Sequence, residues 1–224
     1  MKRGFTLSEL AVTLGILGIF AVLILPTFIS NYKKHVIETR LKKFYSSMNN
    51  AITMSEVEHG DKKDWFCTNC CGIDCLDYFN EYIGKYIYKL EIESFNDSLA
   101  DYIAGYFNDG SMFIVKKDMR DWFFYPESKN FDFKDFEHVN GLRKGLGTNF
   151  WIFNFAPTAV GNANLHNKGI EAYKSGLGPD FTRDDLLNGT GNNYGCKSGQ
   201  HKVYCTALIQ YEGWKIPDDY PIKF

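Results

Sequence analysis

The sequence predicts an α+β protein in which a long N-terminal helix packs on a small antiparallel β-sheet head. Three observations carry this. An apolar run from Leu10 to Ile29 leads without a break into a second stretch whose apolar residues recur at helical spacing. Further along, short apolar segments such as Met112–Lys116 and Phe150–Phe155 stand beside turn residues, the pattern of strands. All six cysteines lie beyond the helical stretch, as befits a small cross-linked domain.

Composition narrows the possibilities. With 45% hydrophobic and 17% aromatic residues the chain can fill a core, which excludes a disordered protein. A net charge of −2 and a pI near 6.2 give no basic footprint, so no nucleic-acid partner is indicated. The mean hydropathy of −0.28 is that of a soluble protein and conceals the one apolar segment.

That segment comes first in the chain. Between Arg3 and Lys33 the only charged residue is Glu9. A run of about 20 apolar residues crosses the ~30 Å hydrocarbon core of a bilayer. Lys2 and Arg3 ahead of it favour a cytoplasmic N-terminus, while Lys33 and Lys34 beyond it weigh the other way. An ordinary cleaved signal peptide would need small residues just after the run, and Thr27–Tyr32 offers no such site. A plain anchor explains the run but leaves Glu9 without a purpose, since a carboxylate in a membrane helix costs a few kcal/mol unless paired. A position among the headgroups is a third reading of Glu9.

The helix is expected to continue to about His59. Ile37, Leu41, Phe44, Met48 and Ile52 form a stripe, and Lys33, Lys34, Glu38, Arg40, Lys42 and Lys43 take the other faces. No glycine or proline occurs from Thr27 to Glu58, and Gly60 is placed to cap the end. Residues 5–59 would then form a rod of about 80 Å at 1.5 Å per residue. Pro26, inside the apolar run, is the expected kink. Gly15 and Gly18 offer small surfaces for close helix approach, or are ordinary membrane-helix composition.

The head is residues 60–224. Leu76–Leu90 reads as helix, and three or four strands are expected from Met112–Lys116, Phe131–Phe136 and Phe150–Phe155, with turns at Asn108–Gly110 and Asn140–Gly141. Asn154–Tyr194 reads mostly as loop with a short helix near Asp184–Leu187, and Val203–Tyr211 as another. Cys67, Cys70, Cys71 and Cys75 form one cluster and Cys196 and Cys205 another. Disulfides or a zinc site using the C-x-x-C of the first cluster both fit; adjacent Cys70 and Cys71 are poor partners for each other. Asp132, Asp135, Glu137 and Asn140 offer oxygen ligands to a cation, or simply a solvated hairpin. The five histidines are scattered and no catalytic motif occurs, so neither an enzyme nor a cofactor is indicated. The head's tyrosines and tryptophans, Trp122, Trp151 and Trp214 among them, read first as core and then as subunit contacts.

The string Lys2-Arg3-Gly4-Phe5-Thr6-Leu7-Ser8-Glu9, followed by the apolar run, resembles the leader and processing motif of type IV prepilins and type II secretion pseudopilins. The resemblance implies cleavage by a prepilin peptidase between Gly4 and Phe5, making residues 1–4 a leader, and methylation of the new N-terminus. Pro26 stands where the family commonly has a proline. The implied function is a structural subunit of a pseudopilus or pilus-like filament. Its partners would be other such subunits and an inner-membrane assembly platform, with the head periplasmic or extracellular. Glu9 would then pair with the freed amine of Phe5 in a neighbouring subunit, which spares both charges the cost of lying alone in lipid.

The resemblance also implies a Cys196–Cys205 bridge, because a disulfide loop near the C-terminus recurs in pilin-like proteins. HVNGLRKGLGTNFWIF (residues 138–153) and YCTALIQYEGWKIPDDYP (204–221) are similar to segments of some prepilin-type heads. His138 and Leu146 depart from that pattern, where relatives carry an aspartate and a proline–asparagine pair. Two other functions remain open: an anchored binding protein that does not polymerise, and a tethered redox or metal enzyme using the cysteines.

Overall fold

The computed structural model describes residues 6–88, 91–96, 101–132, 145–197 and 199–224. Helix α1 runs from Leu7 to His59, 53 residues or about 80 Å. Thr6 caps its start and Gly60, at φ 84°, its end, where the amide of Gly60 donates to Glu56 O. Pro26 lies inside α1 without ending it.

The helix has two unlike halves. Every residue from Leu7 to Ile29 is exposed, although nearly all are apolar. From Ile37 onward the expected stripe is buried: Ile37, Leu41, Phe44, Met48 and Ile52, joined by Ala51 and Ser55. An amphipathic half-helix needs an apolar surface to lie on. Here that surface is one face of a six-stranded antiparallel sheet, ordered β1 (Glu91–Asn96), β2 (Asp101–Tyr106), β3 (Met112–Lys116), β4 (Asp121–Tyr125), β5 (Trp151–Asn154) and β6 (Glu171–Ala172).

Phe44 is the centre of that contact. Its ring stacks on Phe124 at 4.5 Å and meets Phe153 at 5.0 Å and Phe113 at 5.9 Å. Alternate residues of the same strands, Met112, Ile114, Phe123, Tyr125 and Ile152, are buried on the opposite face with Leu146 and Phe150. Both faces of the central strands are therefore covered, which explains why β3 reads as a continuous apolar run.

The sheet has more strands than the three or four expected: β1, β2 and β6 carry weak signals, and β4 is not among the expected segments. Phe131 and Asp132 lie outside any strand, and the rest of Phe131–Phe136 and the Asn140–Gly141 turn fall outside the described residues. The helix expected over Leu76–Leu90 is shorter. It forms as α3, Cys75–Tyr82, after the four-residue α2, Lys62–Trp65. It ends after Tyr82 because Ile83, at φ −135° and ψ −51°, leaves the helical conformation, and a single tighter turn, Gly84–Tyr86, follows. The two late helices form as α4, Arg183–Asn188, and α5, Cys205–Tyr211.

Charged residues of α1 assigned to solvent instead tie the helix to the head. Arg40 donates to the carbonyls of Pro126 and Asp109, and Lys43 Nζ lies 2.7 Å from Asp109 Oδ2. Burial pushes the Asp109 carboxyl up, but Lys43 and the hydroxyl and amide of Ser111 together hold it below the usual range. On the other flank Glu38 pairs with Lys215 at 2.9 Å and accepts the Ile216 amide at 2.8 Å.

Candidate anchoring and assembly site

The exposed half of α1 is the surface that demands explanation. It is long and apolar enough to cross a membrane, and none of its most apolar 18-residue stretch is buried. Cβ atoms added at Gly15 and Gly18 would meet nothing within 4 Å, so both leave open notches on the rod.

Glu9 sits in the first turn, where Thr6 and Glu9 form a reciprocal capping box. The Thr6 amide donates to Glu9 Oε2 at 2.9 Å, its hydroxyl donates to the same oxygen at 2.8 Å, and the Glu9 amide donates back to Thr6 Oγ1 at 3.2 Å. Sequence reasoning missed this partner, although Thr6-Leu7-Ser8-Glu9 has the spacing S/T-x-x-E/Q that signals it. The carboxylate is satisfied within the subunit yet remains exposed and accessible to a cation from outside. Gly4 and Phe5, the expected processing residues, lie outside the described residues.

The cysteines come together in three pairs, Cys67–Cys71, Cys70–Cys75 and Cys196–Cys205, with Cα separations of 5.5, 5.1 and 4.7 Å. The first two interlace across a tight loop in which Asn69, Cys70 and Cys71 all take positive φ near 55°. Such a conformation costs about 1–2 kcal/mol per residue and persists only where its surroundings enforce it. Tyr78 helps: it accepts the Cys67 amide at 3.0 Å and donates to Trp65 O at 2.6 Å. Burial pushes its hydroxyl pKa up to about 12.

The Cys196–Cys205 pair sits where the two head segments singled out by resemblance meet. The Ile152 amide donates to Thr206 Oγ1 at 3.0 Å, and Tyr220 donates to Gly147 O at 2.8 Å. A side chain at Gly147 would strike Cys205 Sγ and Ile222 at 2.9 and 2.8 Å, so a glycine is required there. Replacing Cys196 and Cys205 together by serine should lower stability by about 2–3 kcal/mol on the chain-entropy model for a loop of this length. Thermal melting of the double variant checks this, and peptide mapping without reductant should recover the linked pair. Free thiols at both positions in freshly isolated protein would contradict it.

Among the described residues one group has metal-ligand proximity: Glu58, His59 and Glu81, within 4.8 Å of one another. Lys85 already provides the positive charge. Its ammonium lies 2.9 Å from Glu58 Oε1, 3.2 Å from Glu81 Oε1 and 3.3 Å from His59 Nε2, clamping the end of α1 to α3. Of the oxygen ligands proposed for a cation, Asp132 is described and Asp135, Glu137 and Asn140 lie outside the described residues.

The fold defines a class of protein: a mixed helix-and-sheet head riding on one helix that is membrane-length and bare at its start. Residues 27–224 match a family of unknown function (DUF6613), and the chain belongs to that family. The matched region begins next to Pro26 and so takes in the packed half of α1 and the whole head. No curated protein and no solved structure matches the chain.

Proposed function

We propose that this chain is a prepilin-like structural subunit, anchored in the bacterial inner membrane with its head on the far side and assembled into a pseudopilus or pilus-like filament by stacking of α1. The observation that carries this reading is the string Lys2–Glu9 set immediately before a fully apolar span. Glycine followed by phenylalanine, then Glu9, all match the processing motif at its spacing. The two-part helix supports the same reading. Its bare half suits first a bilayer and then neighbouring helices, and its buried half fixes the head rigidly to the rod.

The capping box favours a second reading. A carboxylate already bonded to Thr6 serves equally well in a plain anchor for a binding head. Processing separates the two. Purified prepilin peptidase is expected to remove Met1–Gly4 from the full chain in detergent, and Gly4→Leu is expected to block the cut. Electrophoresis and mass spectrometry read the result. A wild-type chain that stays intact with active peptidase would leave only the anchor.

A further inference from the structure

A cleft of about 470 Å³ opens where the bare half of α1 meets the head. Its size falls in the range of about 300–1,000 Å³ usual for small-ligand pockets. We propose that it binds the headgroup of an anionic, hydroxylated phospholipid such as phosphatidylglycerol, from the leaflet on the head's side of the membrane. This rests on the membrane-spanning reading of α1 and is independent of filament assembly.

Position is the first argument. The cleft is lined along α1 from Ile29, the last residue of the apolar run, to Ile37, the first buried residue. Those eight steps rise about 12 Å. A bilayer's polar layer adds roughly 5–7 Å outside the hydrocarbon on each side. The cleft therefore starts at the hydrocarbon edge and extends through the headgroup layer. Tyr32 lines it at the level where aromatic residues border membranes.

Chemistry is the second. Lys33 from α1, Lys129 from the segment after β4 and Lys223 from the C-terminal segment contribute three ammonium groups from distant parts of the chain. Glu127 is the one acidic side chain in the lining, and it is ion-paired with Lys129 at 3.3 Å. With Lys129 balanced by Glu127, Lys33 and Lys223 leave the lining with a net positive charge that suits a singly charged phosphodiester. Asn130, Thr148 and Asn149 bring amide and hydroxyl groups suited to headgroup hydroxyls. Ile29 and Phe224 present apolar surface to the first methylenes of the lipid. Cations beside the membrane exit of a helix favour anionic lipid in any case; here three lysines from distant parts of the chain line one cavity.

The test is native mass spectrometry of the full chain in detergent with phosphatidylglycerol, phosphatidylethanolamine or phosphatidylcholine added. Phosphatidylglycerol adducts should be favoured by about tenfold over either of the others. The triple variant Lys33→Gln, Lys129→Gln, Lys223→Gln should remove most of that preference. Lys63→Gln, Lys168→Gln, Lys197→Gln, an equal charge loss outside the cleft, should keep it. Equal adducts for the three lipids, or equal loss in the two triple variants, overturns the proposal. So does displacement by millimolar inorganic phosphate, which would mark a free-anion site. Retention of wild-type protein in liposomes after an alkaline wash reports separately on the membrane span, so the two failures are distinguishable.

Discussion

Glu9→Ala and Glu9→Gln protein should both fold, be cut after Gly4, and fail to assemble. The carboxylate has one role seen in the structure and one proposed for it, and the two substitutions separate them. Within the subunit it closes the capping box with Thr6, and losing that interaction costs about 1 kcal/mol at the first turn of α1, far from the head. Between subunits its proposed partner is the freed amine of a neighbour's Phe5. Removing one member of a buried charge pair strands the other, at about 3–5 kcal/mol per contact. Repeated at every subunit, that loss should abolish filaments. Glutamine retains an oxygen for the Thr6 amide and hydroxyl but carries no charge. If Glu9 acts by charge, both variants are lost from sheared-filament and cross-linking assays. If it acts only as a cap, Glu9→Gln assembles at wild-type level, and the pairing mechanism fails.

Phe44→Ala should be the most damaging single truncation on α1. The ring is 2% exposed and lies among Phe113, Phe124 and Phe153, the residues through which the sheet grips the helix. Emptying such a site costs about 3–5 kcal/mol. For a chain of this size that corresponds to a fall in Tm of about 10 °C. The comparison is Phe20→Ala on the same helix, where the ring is 57% exposed. Surface truncations stay within about 0.5 kcal/mol. Thermal melting of both variants in detergent, followed by near-UV circular dichroism, checks the contrast. Equal shifts would mean that α1 is not divided at Ile29–Ile37 into a bare half and a packed half.

That division was legible in the chain because it is written in periodicity. An unbroken apolar run gives way to steps of four and three, and Gly60 closes the helix. β3 and β5 were legible as short apolar segments beside turns. β1 was not: it is a sheet edge whose Glu91 and Glu93 are exposed, and charged residues on an edge hide a strand from any apolar pattern. β4 was not singled out, although Trp122, Phe123, Phe124 and Tyr125 are buried on both faces and form a continuous apolar run of the same kind as β3. β6 has two residues and exists only through its pairing with β5.

At the candidate site the residue types were visible and their partners were not. Arg40, Lys43 and Glu38 look like solvated charges until the turn at Asp109 and the segment at Lys215 fold against them. The lysines lining the cleft beside the bare half of α1 stand 96 and 94 residues apart in sequence and share that lining only through the fold. Thr6 and Glu9 were missed as well, although in their case the spacing S/T-x-x-E alone carries the signal and no distant fold contact is needed to see it.

The intact mass of the protein extracted from its native membranes tests the proposed processing most directly. The expected species begins at Phe5, lacks Met1–Gly4 and carries one methyl group on its amine. A chain that retains Met1, or one that begins beyond Ile29, would contradict the prepilin-like reading.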